Sequence, residues 1–347
     1  MSKLENKNFK YNSTITLESG DLLPGFQLNY STLGSLNADK SNVIWICHAL
    51  TANSDAISWW DGMIGEGKLF DPTKHFIICA NILGSCYGST GPLDINPATH
   101  KLYFLDFPQI SIRDMVQALD ILRVDLGIEK IQTLVGGSLG GQQAMEWAIS
   151  KPDLAENLIL LATNAQHSPW GIAFNESQRM AIMADPTWRN EDSEAGKAGL
   201  KAARAIALLS YRNYEAYWNT QSDTDIEKTD HYKAQSYQQY QGEKLIQRFN
   251  VHSYWYLTKA MDSHHVGRGR GGVKNALAQI KANTLVIGIV SDVLFPVEEQ
   301  KTLAELIPNG VYVEIDSFYG HDGFLIETKE ITQIIKDFYQ SSIKTHA

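Results

Sequence analysis

Leu134-Val135-Gly136-Gly137-Ser138-Leu139-Gly140-Gly141 is the stretch on which the reading of this chain turns. An apolar run, residues 131–135, leads into it, and a helical pattern over residues 142–150 follows it. G-x-S-x-G between a strand and a helix is the setting of a nucleophile elbow. A sharp turn there strains the serine backbone, and the flanking glycines let strand and helix pass closely. The hydroxyl then stands at a helix N-terminus, where free N–H groups and the helix dipole favour a developing oxyanion. A plain glycine-rich β–α turn has the same composition. The strand before and the helix after favour the nucleophile.

Outward from the elbow, residues 43–50 and 76–80 read as short buried strands, and residues 157–162 as another. Residues 111–126 form a predicted helix. Ser111 is placed to cap it with Asp114 three residues on; Met115, Leu119, Leu122 and Leu126 recur at helical spacing, and Gly127 stands at the C-terminal cap. From about residue 166 to 280 the strand signal stops. Helical pieces take over, with Trp170, Trp188, Trp218 and Trp255 expected in their core. Strands resume at 284–290 and 311–315, and a helix is predicted over 328–339. Continuous apolar strands alternating with helices call for a parallel sheet covered on both faces. The expected fold is α/β, of the α/β-hydrolase type. A mostly parallel central sheet covered by helices spans residues 1–165 and 281–347, and residues 166–280 form an inserted helical lid.

The 347 residues are 44% apolar and 20% charged, which excludes a disordered or fibrous chain. Lys and Arg total 30 against 39 for Asp and Glu, a net charge of -9. An acidic chain is a poor match to nucleic acid or an anionic membrane. The longest clean apolar run, residues 284–290, is too short to span a bilayer, and residues 1–10 lack the apolar core of a secretory signal. Cys47, Cys79 and Cys86 are odd in number and form no C-x-x-C pair. The expectation is a reduced, cytoplasmic setting without disulfides, metal or bound cofactor.

A serine nucleophile needs a base, and the base an orienting group; in this fold the chain order is Ser, acid, His. Asp292 closely follows the strand ending at Val290, and His321 lies between glycines in the loop after the last strand. Asp322 competes for the acid role but is adjacent to His321, badly placed to reach the same ring. The backbone N–H groups of Leu50 and Leu139 are the expected oxyanion donors, with His48 holding the first of those loops. Gly267-Arg268-Gly269-Arg270-Gly271-Gly272 formally satisfies G-x-G-x-x-G. It follows helical sequence, so a solvated loop or one at the mouth of the site is expected in place of a dinucleotide cradle. His264 and His265 are adjacent and point apart, which argues against a metal pair.

Several longer blocks carry a resemblance. His48-Ala49-Leu50-Thr51, the run Asn81-Ile82-Leu83-Gly84-Ser85-Cys86-Tyr87-Gly88-Ser89-Thr90-Gly91-Pro92, the elbow with Ala144-Met145-Glu146-Trp147, Ser291-Asp292-Val293-Leu294-Phe295-Pro296 and Gly320-His321-Asp322-Gly323-Phe324-Leu325 are similar to the homoserine O-acetyltransferase family of α/β-hydrolase-fold acyltransferases. The similarity runs from about Phe26 to Tyr339. It implies transfer of an acetyl group from acetyl-CoA, as co-substrate, to L-homoserine through a seryl ester, in methionine biosynthesis, by a homodimer. It also implies that Arg204, Tyr211 and Asp322 hold the amino acid; Arg204 and Tyr211 lie two turns apart on one helix face. The chain departs from the family at Ala52, Asn53, Leu139, Gln142 and Gln143, positions expected on the pocket wall. Relatives with the same triad use succinyl-CoA or accept serine, and a serine esterase shares the triad without needing CoA. A non-catalytic binding relative usually lacks one triad member.

Overall fold

A computed structural model describes residues 3–345. Among the described residues ten strands occur in chain order: β1 (Glu5–Tyr11), β2 (Ile15–Thr16), β3 (Leu22–Leu23), β4 (Phe26–Leu33), β5 (Val43–Cys47), β6 (Phe76–Ala80), β7 (Ile131–Gly137), β8 (Ala155–Leu161), β9 (Asn283–Ile289) and β10 (Gly310–Ile315). Eight build one sheet in the order β1-β4-β6-β5-β7-β8-β9-β10, and β2 pairs with β3. From β6 to β10 all neighbours are parallel; β4 pairs antiparallel with both β1 and β6. The α/β-hydrolase expectation holds.

The central strands are apolar because both faces are covered. Every residue of β5 and β6 is buried. One core lies on each face, one gathering Trp45, Leu134, Met145 and Trp147, the other Ile44, Ile46, Val135 and Phe324. The helix Ile112–Asp125 begins as the sequence predicts: Ser111 accepts from the Asp114 amide while the Asp114 carboxylate accepts from the Ser111 amide. Gly127 follows in the left-handed region at φ 63°.

Between β8 and β9 the chain forms the helices Pro169–Met183, Lys197–Tyr211, Tyr214–Gln221, Lys233–Ile246, Val251–Asp262 and Val273–Leu277. The tryptophans there divide, and the expectation of a common core fails for two. Trp188 and Trp255 pack ring to ring at 4.6 Å, whereas Trp170 is 53% and Trp218 62% exposed. Trp170 is fastened by its indole N–H to the Val293 carbonyl, and Trp218 stacks on exposed Tyr214. Among the described residues no helix is long and apolar enough to cross a membrane.

Candidate active site

The parallel strands deliver their C-terminal ends to one edge, the place where open α/β sheets build their sites. Ser138 stands directly after β7, the loop carrying Leu50 after β5, Asp292 after β9 and His321 after β10. Ser138 has φ 56° and ψ -126°, a strained conformation for a residue with a side chain. Neighbouring glycines make this turn possible. A Cβ on Gly136 would lie 2.2 Å from the Gly140 carbonyl oxygen, and one on Gly140 would lie 2.1 Å from that of Cys47. Both obstacles are backbone and cannot swing aside. Gly140→Ala is therefore expected to destabilise the protein by about 3 kcal/mol, the upper end for overpacking. A urea midpoint equal to the parent's would show that helix and strand are free to separate.

The residues expected as acid and base lie in direct contact. His321 Nδ1 donates to Asp292 Oδ2 at 2.6 Å, and both side chains are nearly fully buried. Asp292 Oδ1 accepts from the amides of Leu294 and Phe295 at 2.8 and 2.9 Å, which fixes the carboxylate in its turn. The imidazole stacks on Phe295 at 5.0 Å and meets the edge of Phe324 at 5.3 Å. Burial alone would lower the His321 pKa. The Asp292 charge and hydrogen bond, with the Asp322 charge, outweigh burial and raise it above the ordinary 6.5. With Nδ1 committed to Asp292, Nε2 is the ring nitrogen left to serve Ser138.

Ser138 and His321 line one cavity of about 460 Å³. Leu50, Arg204, Tyr211 and Asp322 line it too, so the structure brings the expected residues of both substrate and chemistry together. Leu139 opens the helix Leu139–Ser150, so its N–H has no acceptor within that helix. His48 is structural: Nδ1 donates to the Ala49 carbonyl, Nε2 accepts from the Ile82 amide, and burial lowers its pKa to about 4. Gln143 ties this loop to the elbow by donating to the carbonyls of His48 and Leu139.

Some expectations need correction. Ala52 and Asn53 do line the cavity, but the side chains of Leu139, Gln142 and Gln143 do not; all three residues are buried, and their side chains pack behind the wall. The Gly267–Gly272 loop is not at the mouth. Arg270 instead holds buried Glu146 on the back of the elbow helix, and Arg113 and Arg268 pair with Glu18 beside it. His264 Nε2 bonds the Asn164 carbonyl. No group of three possible metal ligands occurs among the described residues, and the three cysteines are unpaired.

Three cavity neighbours escaped the sequence reading. Arg212 Nε lies 3.0 Å from Asp322 Oδ2 and fixes that carboxylate. Burial raises the Asp322 pKa, against the pull of Arg212 and Arg204. Lys244 and Arg248 also line the cavity. Arg204 itself lies over the Tyr211 ring, 5.3 Å from its centroid.

The family model of the alpha/beta hydrolase fold matches residues 42–328. A homoserine O-acetyltransferase of Cyclobacterium marinum is 54% identical over 331 residues, covering 95% of this chain and 94% of that protein. This chain belongs to the homoserine O-acetyltransferase family. Among solved structures, the homoserine O-acetyltransferase from Bacillus anthracis superposes with a TM-score of 0.90 at 27% identity, over 97% of this chain and 98% of that one. An acetylester hydrolase from Corynebacterium glutamicum reaches 0.85 at 26% identity, over 97% and 96%. The scaffold of the homoserine O-acetyltransferase family thus also carries ester hydrolysis, and the cavity lining must separate the two.

Proposed function

We propose that the protein transfers an acetyl group from acetyl-CoA to the hydroxyl of L-homoserine. One observation carries this reading. The Ser138 elbow and the His321–Asp292 pair open on a cavity whose wall also presents Arg204, Tyr211 and Asp322, charges of both signs for a zwitterion. His321 Nε2 takes the Ser138 proton as Oγ attacks the thioester carbonyl. The N–H groups of Leu50 and Leu139 receive the oxyanion, the C–S bond breaks, and His321 returns the proton to the leaving thiolate. Homoserine then enters with its carboxylate on Arg204 and its ammonium at Asp322. His321 deprotonates its hydroxyl, which attacks the seryl ester; the seryl C–O bond breaks, O-acetylhomoserine is released, and His321 returns the proton to Ser138 Oγ. The reaction is ping-pong. Placing the acceptor can outrun water, since effective molarities reach about 10⁵ M. The helices between β8 and β9 act as the lid that excludes solvent.

No cofactor is needed beyond the co-substrate. The product supplies methionine biosynthesis. The setting is the cytoplasm, consistent with three free cysteines. A homodimer is the proposed assembly, and a monomer mass by light scattering would overturn it.

Acetyl-CoA incubated with and without homoserine tests the activity. Much faster CoA release with homoserine is expected; equal release in both would make the protein an esterase. Arg204→Ala should raise the KM for homoserine about 30-fold, the weight of one charge-assisted contact, while the serine is still acylated. An unchanged KM removes Arg204 from the acceptor site. The rate of acylation should fall as pH drops through a midpoint above 6.5, because protonated His321 cannot accept the serine proton. A rate independent of pH down to 5 would exclude His321 as the base.

A further inference from the structure

The cavity that holds Ser138 is lined by three cations, Arg204, Lys244 and Arg248, and one carboxylate, Asp322. Asp322 is already paired with Arg212, a cation outside the lining. Among the described residues no carboxylate lies within ion-pair distance of any of the three lining cations, although acids outnumber bases in the chain. Arg204 sits beside Tyr211 at the acceptor end. The other two are exposed and stand four residues apart where the helix Lys233–Ile246 ends. Their placement is specific. Arg248 is aimed by Nη1, which donates to the Thr51 carbonyl and the Tyr87 hydroxyl, each at 2.5 Å. Thr51 follows Leu50, so this guanidinium is anchored to the oxyanion loop. Glu243, the acid next to Lys244, is turned to Lys201 at 3.0 Å and to Gln247, leaving the Lys244 ammonium without a partner. A helix C-terminus favours cations in any protein. That preference explains their presence at a helix end, but not their convergence on the nucleophile's cavity without counter-charges.

Unpaired cations in a concave mouth concentrate an anion there. We propose that Lys244 and Arg248 form a clamp for the phosphates at the nucleotide end of a CoA thioester. This rests on the acyl-CoA reading above and assigns its donor contact. The thioester must reach buried Ser138, so the long pantetheine arm fills the cavity and the phosphates emerge at its exposed end, where these two side chains stand. A simple ester hydrolase has no use for such a pair.

The test compares acetyl-CoA with S-acetylpantetheine, which has the same thioester and arm but no phosphates. In Lys244→Gln the ratio of kcat/KM for acetyl-CoA to that for S-acetylpantetheine should fall about tenfold, and Lys244→Arg should restore it to within about threefold. In the parent the ratio should fall as salt rises from about 0.05 to 0.5 M, and less steeply in Lys244→Gln. A ratio in Lys244→Gln equal to the parent's at low salt overturns the clamp alone. A parent that turns over S-acetylpantetheine but releases no CoA from acetyl-CoA overturns the donor reading, and the clamp with it.

Discussion

Ser138→Ala should lower acetyl transfer by at least about 10⁴-fold and abolish the seryl ester, because no other group can take over the attack. The neighbouring groups remain: His321 stays bonded to Asp292, and the Leu50 and Leu139 amides are backbone. Alanine also suits the site structurally, since the serine side chain is not what holds the turn. Its amide donates to the Leu161 carbonyl, and its carbonyl accepts from the Gln142 amide and the Thr163 hydroxyl. The variant should therefore fold and still bind acetyl-CoA. Steady-state CoA release in a folded Ser138→Ala protein within tenfold of the parent's would remove Ser138 as nucleophile.

Asp292→Asn should cost about 10⁴-fold in kcat, the scale seen when a triad base is held in the wrong tautomer. The mechanism follows from the turn. The amides of Leu294 and Phe295 both donate to Oδ1, so an asparagine must keep its oxygen there. Its NH₂ then faces His321 Nδ1 in place of Oδ2. A donor opposite Nδ1 forces the ring proton onto Nε2, where it blocks acceptance of the serine proton. The substitution also removes the negative charge that raises the His321 pKa against burial. The midpoint of the residual rate should move to lower pH. A variant retaining a tenth of parental kcat would show that Asp292 is not the orienting acid.

The elbow and the residues proposed as acid and base were legible because each is a short local word at the end of an apolar strand. Glycine 136 and glycine 140 mark close backbone approaches that any side chain would block, so the sequence bears the imprint of the turn directly. Asp292 could be preferred over Asp322 on adjacency alone, and it is Asp292 that lies 2.6 Å from the His321 ring. The β1 strand was illegible: as an exposed edge it has charged and polar residues at most positions and offers no buried face. The β4 strand was readable in principle. Phe26, Leu28 and Tyr30 alternate with polar residues, the mark of an antiparallel strand beside a parallel set. Arg212, Lys244 and Arg248 were beyond reach for another reason. Each sits in sequence that reads as a solvated helix, and only the packing of the helices between β8 and β9 over the sheet edge brings Lys244 and Arg248 to the cavity of Ser138 and Arg212 to Asp322. Gln142 and Gln143 show the reverse error. They adjoin the nucleophile in sequence, yet the helix turns them into the interior to hold the loops behind the cavity.

Intact-mass spectrometry after brief exposure to acetyl-CoA tests most directly whether this cavity makes and passes on an acyl group. One acetyl group should appear on the protein, on the peptide that contains Ser138. Addition of L-homoserine should remove it as O-acetylhomoserine far faster than buffer does. CoA release with no acetylated protein at any time, or loss of the acetyl group at the same rate with and without homoserine, would contradict the account.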